Sequence, residues 1–117
     1  MSARFRIGID LGGTKIEGAA IDASGAMRIR RRLPTPLHDY RGTIEAIIGL
    51  VRTIEQEIET AASVGIGIPG AVSPMTGLVK NANSTWLIGR PLQHDIEKNN
   101  VREFRLGDLE GAGTIIC

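Results

Sequence analysis

The chain lacks most of what would mark a specialised environment. Its 117 residues include one cysteine, Cys117, and two histidines. A lone thiol closes no internal disulfide, and no Cys/His cluster has zinc-ligand spacing. A disulfide-stapled secreted scaffold is excluded, and a reducing compartment fits. There is no stretch of about 20 apolar residues to span a bilayer. Met1 is followed at once by charged Arg4 and Arg6 rather than by the apolar core of a signal peptide. A cytoplasmic protein with no membrane partner is therefore expected. Charge of one sign is also missing, since the formal net charge is +1. The single dense cluster, Arg28-Ile29-Arg30-Arg31-Arg32, reads as the exposed edge of a strand rather than as a nucleic-acid footprint. Aromatic residues make up 3% of the chain, and no internal repeat or low-complexity tract is present. The 42% hydrophobic and 23% charged content describes one ordinary domain.

The patterning predicts an α/β fold. Residues 4–10 and 16–21 read as apolar strands, and Asp22-Ala23-Ser24-Gly25 as a polar turn into a third strand over 26–33. Two hairpins in series make an antiparallel meander. Pro34-Thr35-Pro36 ends it and leads to a helix with Asp39 as N-cap. Ile44, Ile47, Ile48, Val51, Ile54 and Ile58 recur at three- and four-residue steps, so one stripe of that helix is core. Residues 63–68 form a short buried strand, and the long helix before it predicts parallel pairing with the first sheet. Turn formers dominate 69–89. A second helix is expected over 91–100 and a fifth strand over 101–106.

Asp10-Leu11-Gly12-Gly13-Thr14-Lys15 directly follows the apolar run Ile7-Gly8-Ile9. Glycines at 12 and 13 can take positive φ and aim successive N–H groups into one anion-binding concavity, with the Thr14 hydroxyl and Lys15 ammonium beside it. Leu11-Gly12-Gly13-Thr14 also reads as a plain hairpin turn between two strands. A second cluster, Gly65-Ile66-Gly67-Ile68-Pro69-Gly70, matches G-x-G-x-x-G by letter. Pro69, Pro74 and Gly77 oppose the helix that a dinucleotide fingerprint must open, and no acidic residue follows about 20 positions on. No P-loop run is present either. What remains is a strand ending in a close-approach turn at Gly70, where backbone N–H groups can face a small ligand.

Lys80-Asn81-Ala82-Asn83-Ser84-Thr85-Trp86 gathers amides and hydroxyls beside the only tryptophan. Asn side chains donate and accept, matching vicinal sugar hydroxyls, while an indole offers an apolar wall. Turn residues at Asn81 and Asn83, with Trp86 as a core plug, is the alternative.

Taken in order, the diglycine motif, Gly65–Gly70 with Ser73-Pro74-Met75-Thr76-Gly77, and the run from Asn81 to Leu92 resemble the N-terminal part of the ROK sugar kinases, with the Asn83–Trp86 stretch most similar to fructokinase-type members. The resemblance covers residues 4–106. It implies an actin-like, ribonuclease H-like N-terminal lobe over 1–106 and a divergent tail over 107–117. Its mixed sheet would hold the three-strand meander followed by parallel strands and helices. The implied activity is ATP-dependent phosphorylation of a hexose of the fructokinase or glucokinase type. Asp10, Gly12, Gly13, Thr14 and Lys15 would lie at the ATP phosphates and magnesium, and Gly70 and Asn83 at the sugar. Family members continue the fifth strand into an Asn-Asp pair whose carboxylate is the base. Here Gly107-Asp108 stands near that place, so Asp108 is either the base or a turn residue. The family's cysteine-rich zinc loop, its sugar-site glutamate and histidine, and its second lobe have no counterpart in the 117 residues. The loss of resemblance after Asp108 predicts a truncated or frame-shifted product, inactive alone. A C-terminal lobe or a second copy of the chain would be the partner, and a non-catalytic phosphate- or sugar-binding module is the other function class.

Overall fold

A computed structural model describes residues 4–68, 71–72, 75–76, 78–80, 88–100 and 105–108. Three strands open the chain: β1 (Arg6–Leu11), β2 (Lys15–Ile21) and β3 (Met27–Pro34). They pair as an antiparallel meander, with Ile9 opposite Gly18 and Gly18 opposite Arg31. Helix α1 (Tyr40–Ile58) then crosses the sheet to β4 (Ser63–Ile68), which runs parallel to β1. A two-stranded ribbon, β5 (Ala71–Val72) and β6 (Val79–Lys80), helix α2 (Leu92–Asn100) and strand β7 (Arg105–Asp108) follow. The main sheet has the order β3-β2-β1-β4-β7. It is mixed, because β4 and β7 are parallel to β1 while the meander is antiparallel.

α1 forms where the sequence places an N-cap before an apolar stripe. The Asp39 carboxylate accepts the Gly42 N–H at 2.9 Å, and Thr43 N–H reaches the Asp39 carbonyl at 3.0 Å. The stripe Ile44, Ile47, Ile48, Val51 and Ile54 is buried against Ile7, Ile9, Leu11, Ile16, Val64, Ile66 and Ile68 of the sheet. Each such aliphatic side chain contributes about 2 kcal/mol of transfer free energy. Leu92 and Ile96 of α2 complete this core. No described helix is long and apolar enough to cross a membrane.

The arginine cluster lies on β3, an edge of the main sheet. Arg28 pairs with Asp22 at 2.6 Å, Arg30 with Glu17 at 2.5 Å, and Arg31 with Glu57 of α1. Charged side chains along an unpaired edge oppose strand-to-strand aggregation.

Asp22, 7% exposed, organises the β2–β3 turn by accepting from the Ser24 hydroxyl at 2.6 Å, Arg28 Nε at 2.6 Å, and the N–H groups of Ser24 and Ala26. The Ser24 hydroxyl, then Arg28, hold its carboxyl well below the ordinary carboxylate range. A depressed folded-state pKa stabilises fully above the unfolded value of about 3.9 and is lost as pH falls toward the folded one. Acid unfolding followed by circular dichroism is therefore expected to show a loss of stability below about pH 4 that Asp22→Asn flattens. An unchanged acid profile in the variant would remove this role from Asp22.

Two expectations shift. The fifth strand, read over 101–106, is described at Arg105–Asp108, with residues 101–104 outside the described set. Gly107 and Asp108 look like turn formers by composition, but pairing with Gly67 and Ile68 extends the strand through them. The β5–β6 ribbon, each strand two residues long, was hidden among turn formers because so short a run shows no period.

Candidate functional site

Three parallel strands end side by side. Asp10 of β1 is level with Gly67 of β4, and Ile68 of β4 with Asp108 of β7. In open α/β sheets, ligands bind outside the carboxyl ends of the strands, and that edge gathers the opening motif and Asp108 here. Gly70 lies two residues beyond the end of β4. Gly70, Asn81, Asn83 and Trp86 fall outside the described residues.

The diglycine segment connects β1 to β2 as a hairpin. Gly12 N–H donates to the Lys15 carbonyl at 3.0 Å, closing the turn. The positive φ expected at Gly12 and Gly13 does not occur: among the described glycines, Gly25 (φ +90°) and Gly89 (φ +79°) take left-handed values. The requirement for glycine at 12 is steric instead. A Cβ there would sit 2.7 Å from the Lys15 carbonyl oxygen, whereas a Cβ at Gly13 would meet nothing within 4 Å. Gly13 therefore leaves open space on the outer side of the turn. Among the described residues, neither Gly13 nor Thr14 donates its N–H to a main-chain carbonyl. The structure thus contains the hairpin, and among the described residues two successive amides of it meet no main-chain acceptor.

Asp10 is half-buried at the root of this turn. Burial, and then the charge of Glu17 directly across the ladder, raise its carboxyl above the ordinary value, while Lys15 pulls it down. Glu17 itself is lowered by its hydrogen bond from Arg30. Thr14 and Lys15 are exposed, so a hydroxyl and an ammonium stand at the surface beside the open space at Gly13. Asp108 occupies the last position of β7, level with Ile68, while Gly107 holds the register row that runs through Gly67 to Asp10. Asp108 and Asp10 thus stand at alternate positions of the pleat. Among the described residues no group of three or more His, Cys, Asp or Glu could hold a metal ion.

One residue that the sequence did not single out proves central. Thr35, 5% exposed, donates its hydroxyl to the Gly12 carbonyl at 2.9 Å and its N–H to the Thr14 carbonyl at 3.0 Å. The flanking Pro34 and Pro36 have no N–H, which leaves Thr35 as the sole main-chain donor of the triplet. That isolation between two prolines was the available signal. Thr35→Val is expected to lower stability by about 1–2 kcal/mol, since it strands the Gly12 carbonyl without a partner. Thermal denaturation checks this, and an unchanged melting temperature would show the clamp to be dispensable.

The chain is similar to known sugar kinases. It is 36% identical over 99 residues to the N-acetyl-D-glucosamine kinase of Citrobacter koseri, a match covering 85% of this chain and 33% of that protein. The ROK hexokinase of Thermus thermophilus superposes with a TM-score of 0.76 at 24% identity, over 89% of this chain and 35% of that one. A ROK family glucokinase from Streptomyces griseus, solved in complex with glucose and AMPPNP, does so with a TM-score of 0.76 at 25% identity, over 89% and 33%. The chain spans about a third of the length of these relatives. Its fold is that of the actin-like, ribonuclease H-like N-terminal lobe. The match to the ROK family runs over residues 6–108, from the first residue of β1 to the last of β7, and the chain belongs to that family.

Proposed function

We propose that this chain is the N-terminal lobe, residues 1–106 with a divergent tail, of an ATP-dependent hexose kinase working in the cytoplasm, and that it carries the phosphate-binding half of the site. The observation that carries this reading is the β1–β2 hairpin at the carboxyl edge of the sheet. Two amides without a main-chain acceptor among the described residues, an open face at Gly13, an exposed Lys15 and a half-buried Asp10 converge there. Amides and an ammonium suit the oxygens of a triphosphate. Asp10 suits magnesium carried in with the nucleotide, a shared cation that would neutralise charge on the phosphates.

Phosphoryl transfer needs little covalent help from the protein. The rate comes from alignment and charge stabilisation. Gly12 shapes the turn, Gly13 and Thr14 present N–H groups, and Thr35 holds the turn rigid from behind. Gly70 and Asn83 would position the hexose, and Asp108 is this chain's candidate to accept the hydroxyl proton. The sugar is a hexose of the fructokinase or glucokinase type. The relatives named for N-acetyl-D-glucosamine and glucose add the acetylated aldohexose to the set worth testing.

A non-catalytic module that binds phosphate or sugar is the second reading, favoured by Asp108 standing one register row away from Asp10. One experiment separates the two. Magnesium and a non-hydrolysable ATP analogue are titrated into the isotope-labelled 117-residue protein, and the same preparation is assayed with fructose, glucose and N-acetylglucosamine. Amide shifts centred on residues 12–15 without turnover are expected, because a water-excluding phosphoryl-transfer site closes between two lobes. Absence of shifts at 12–15 would overturn the phosphate assignment, and ordinary enzyme rates would overturn the one-lobe reading.

A further inference from the structure

We propose that the cleft between α1 and the start of α2 is a binding site for a phosphorylated sugar or polyol, separate from the β1–β2 hairpin. The cleft measures about 970 Å³. Small-molecule sites commonly occupy about 300–1,000 Å³. The proposal is independent of the kinase reading, because it rests on the chemistry of this lining alone.

Arg41 and Arg52 of α1 and Arg90, just ahead of α2, all line the cleft and are exposed. None has an ion-pair partner among the described residues, whereas Arg28, Arg30, Arg31 and Arg32 of β3 are each paired with a carboxylate. An unpaired guanidinium offers a planar fork of donors that matches the oxygens of a phosphate monoester. The Arg90 fork is also held in place, since its guanidinium lies 4.8 Å from the Tyr40 ring centre.

Of the three carboxylates in the lining, two are committed to holding the helix starts. Asp39 accepts the Gly42 N–H at 2.9 Å, and Asp95 accepts the Tyr40 hydroxyl at 2.5 Å. Glu45 is exposed and has no ion-pair partner among the described residues, so its oxygens are placed to accept from hydroxyl groups. A ligand that carries both an anionic group and hydroxyls uses both kinds of side chain. Neither a bare phosphate nor a bare sugar does.

Gly49 makes room for that ligand. It lies in the middle of a 19-residue helix, where glycine is a poor helix former, and it lines the cleft. A Cβ there would meet nothing within 4 Å, so no described neighbour requires glycine. Its missing side chain deepens the cleft between Glu45 and Arg52, which stand four and three residues away on the same side of the helix.

Glucose 6-phosphate, glucose and inorganic phosphate, titrated separately into the isotope-labelled 117-residue protein at about 0.15 M salt, test the assignment. Glucose 6-phosphate is expected to saturate with a Kd below about 1 mM and to shift amides over residues 38–52 and 90–95. Glucose and inorganic phosphate are each expected to bind at least about tenfold more weakly, because each satisfies one half of the lining. Replacing Arg41, Arg52 and Arg90 together with Gln is expected to weaken glucose 6-phosphate at least about tenfold, with circular dichroism confirming the fold. Arg4→Gln, which removes an exposed cation outside the cleft, is expected to leave affinity within about twofold. Gly49→Leu is expected to weaken binding at least about tenfold without lowering the melting temperature, since leucine favours the helix while its side chain enters the cleft. Shifts confined to residues 12–15 would overturn the proposal, as would failure to saturate or equal binding of glucose or inorganic phosphate. Full affinity in the triple variant or in Gly49→Leu would overturn it too.

Discussion

Gly18→Val is expected to lower the stability of the fold by about 2 kcal/mol, within the range for overpacking a filled core. A Cβ on Gly18 would stand 2.8 Å from Ile54 Cδ1, 3.0 Å from Leu50 Cδ2 and 3.1 Å from Ile9 Cδ1. The helix sits on the sheet at this point because β2 offers no side chain there. Ile54→Ala alone is expected to cost about 3 kcal/mol, since it removes a fully buried side chain and leaves a hole that the packed sheet cannot collapse into. The two changes are complementary in shape, and the added methyls of valine enter the space that isoleucine vacates. Combined, they are expected to fall short of the sum of the singles by at least about 1 kcal/mol, the signature of residues in direct contact. Urea denaturation of the four proteins completes the cycle, and strict additivity would mean that Gly18 and Ile54 do not meet. Losses of this size are a large fraction of the total stability of an ordinary domain.

The second large effect belongs to Gly13 and concerns binding rather than stability. Gly13→Val is expected to leave the melting temperature within about 2 °C of wild type, as an outward substitution into open space should. Nucleotide affinity is expected to fall at least about tenfold, near 1.4 kcal/mol, because a branched side chain fills the approach to the Gly13 and Thr14 amides. Gly12→Ala is the contrasting control. Its new Cβ collides with a backbone oxygen of the same turn, so it is expected to unfold at lower temperature whether or not nucleotide is present. Isothermal titration of Mg-ATP analogue into each variant, alongside thermal melts, separates the two glycines. Equal affinity in Gly13→Val and wild type would take the triphosphate away from this hairpin.

Much of the architecture was legible before any coordinates. The stripe from Ile44 to Ile54 announces itself by its period, and Asp39 caps the helix that it was expected to cap. The parallel placement of β4 beside β1 followed from the length of the helix between them. The arginines from 28 to 32 lie on an edge strand as their density suggested. Other features were silent. Thr35 reaches a carbonyl 23 residues away, a distance at which no local pattern survives. Gly18 reads as an unremarkable small residue within a strand, although it sets how closely α1 approaches the sheet. At Gly12 the residue type was informative but the reason was not: a Cβ collision, rather than left-handed φ, excludes other side chains. Gly107 and Asp108 by composition left a turn open beside the reading of Asp108 as a base, and pairing with β4 made both residues strand.

The amino-acid order on its own determined where the first four strands and the two helices run, which face of α1 is apolar, where the diglycine motif falls and to which family the chain belongs. Those properties are written in spacings of two to four residues, the range over which side-chain sterics and periodic burial act. The folded structure alone decided that the ends of β1, β4 and β7 share one edge, that Thr35 clamps the glycine turn, and that Glu17 stands against Asp10. Each of these depends on register between segments far apart in the chain. A shift of one residue would turn the same side chains to the opposite face, so only the assembled sheet settles them.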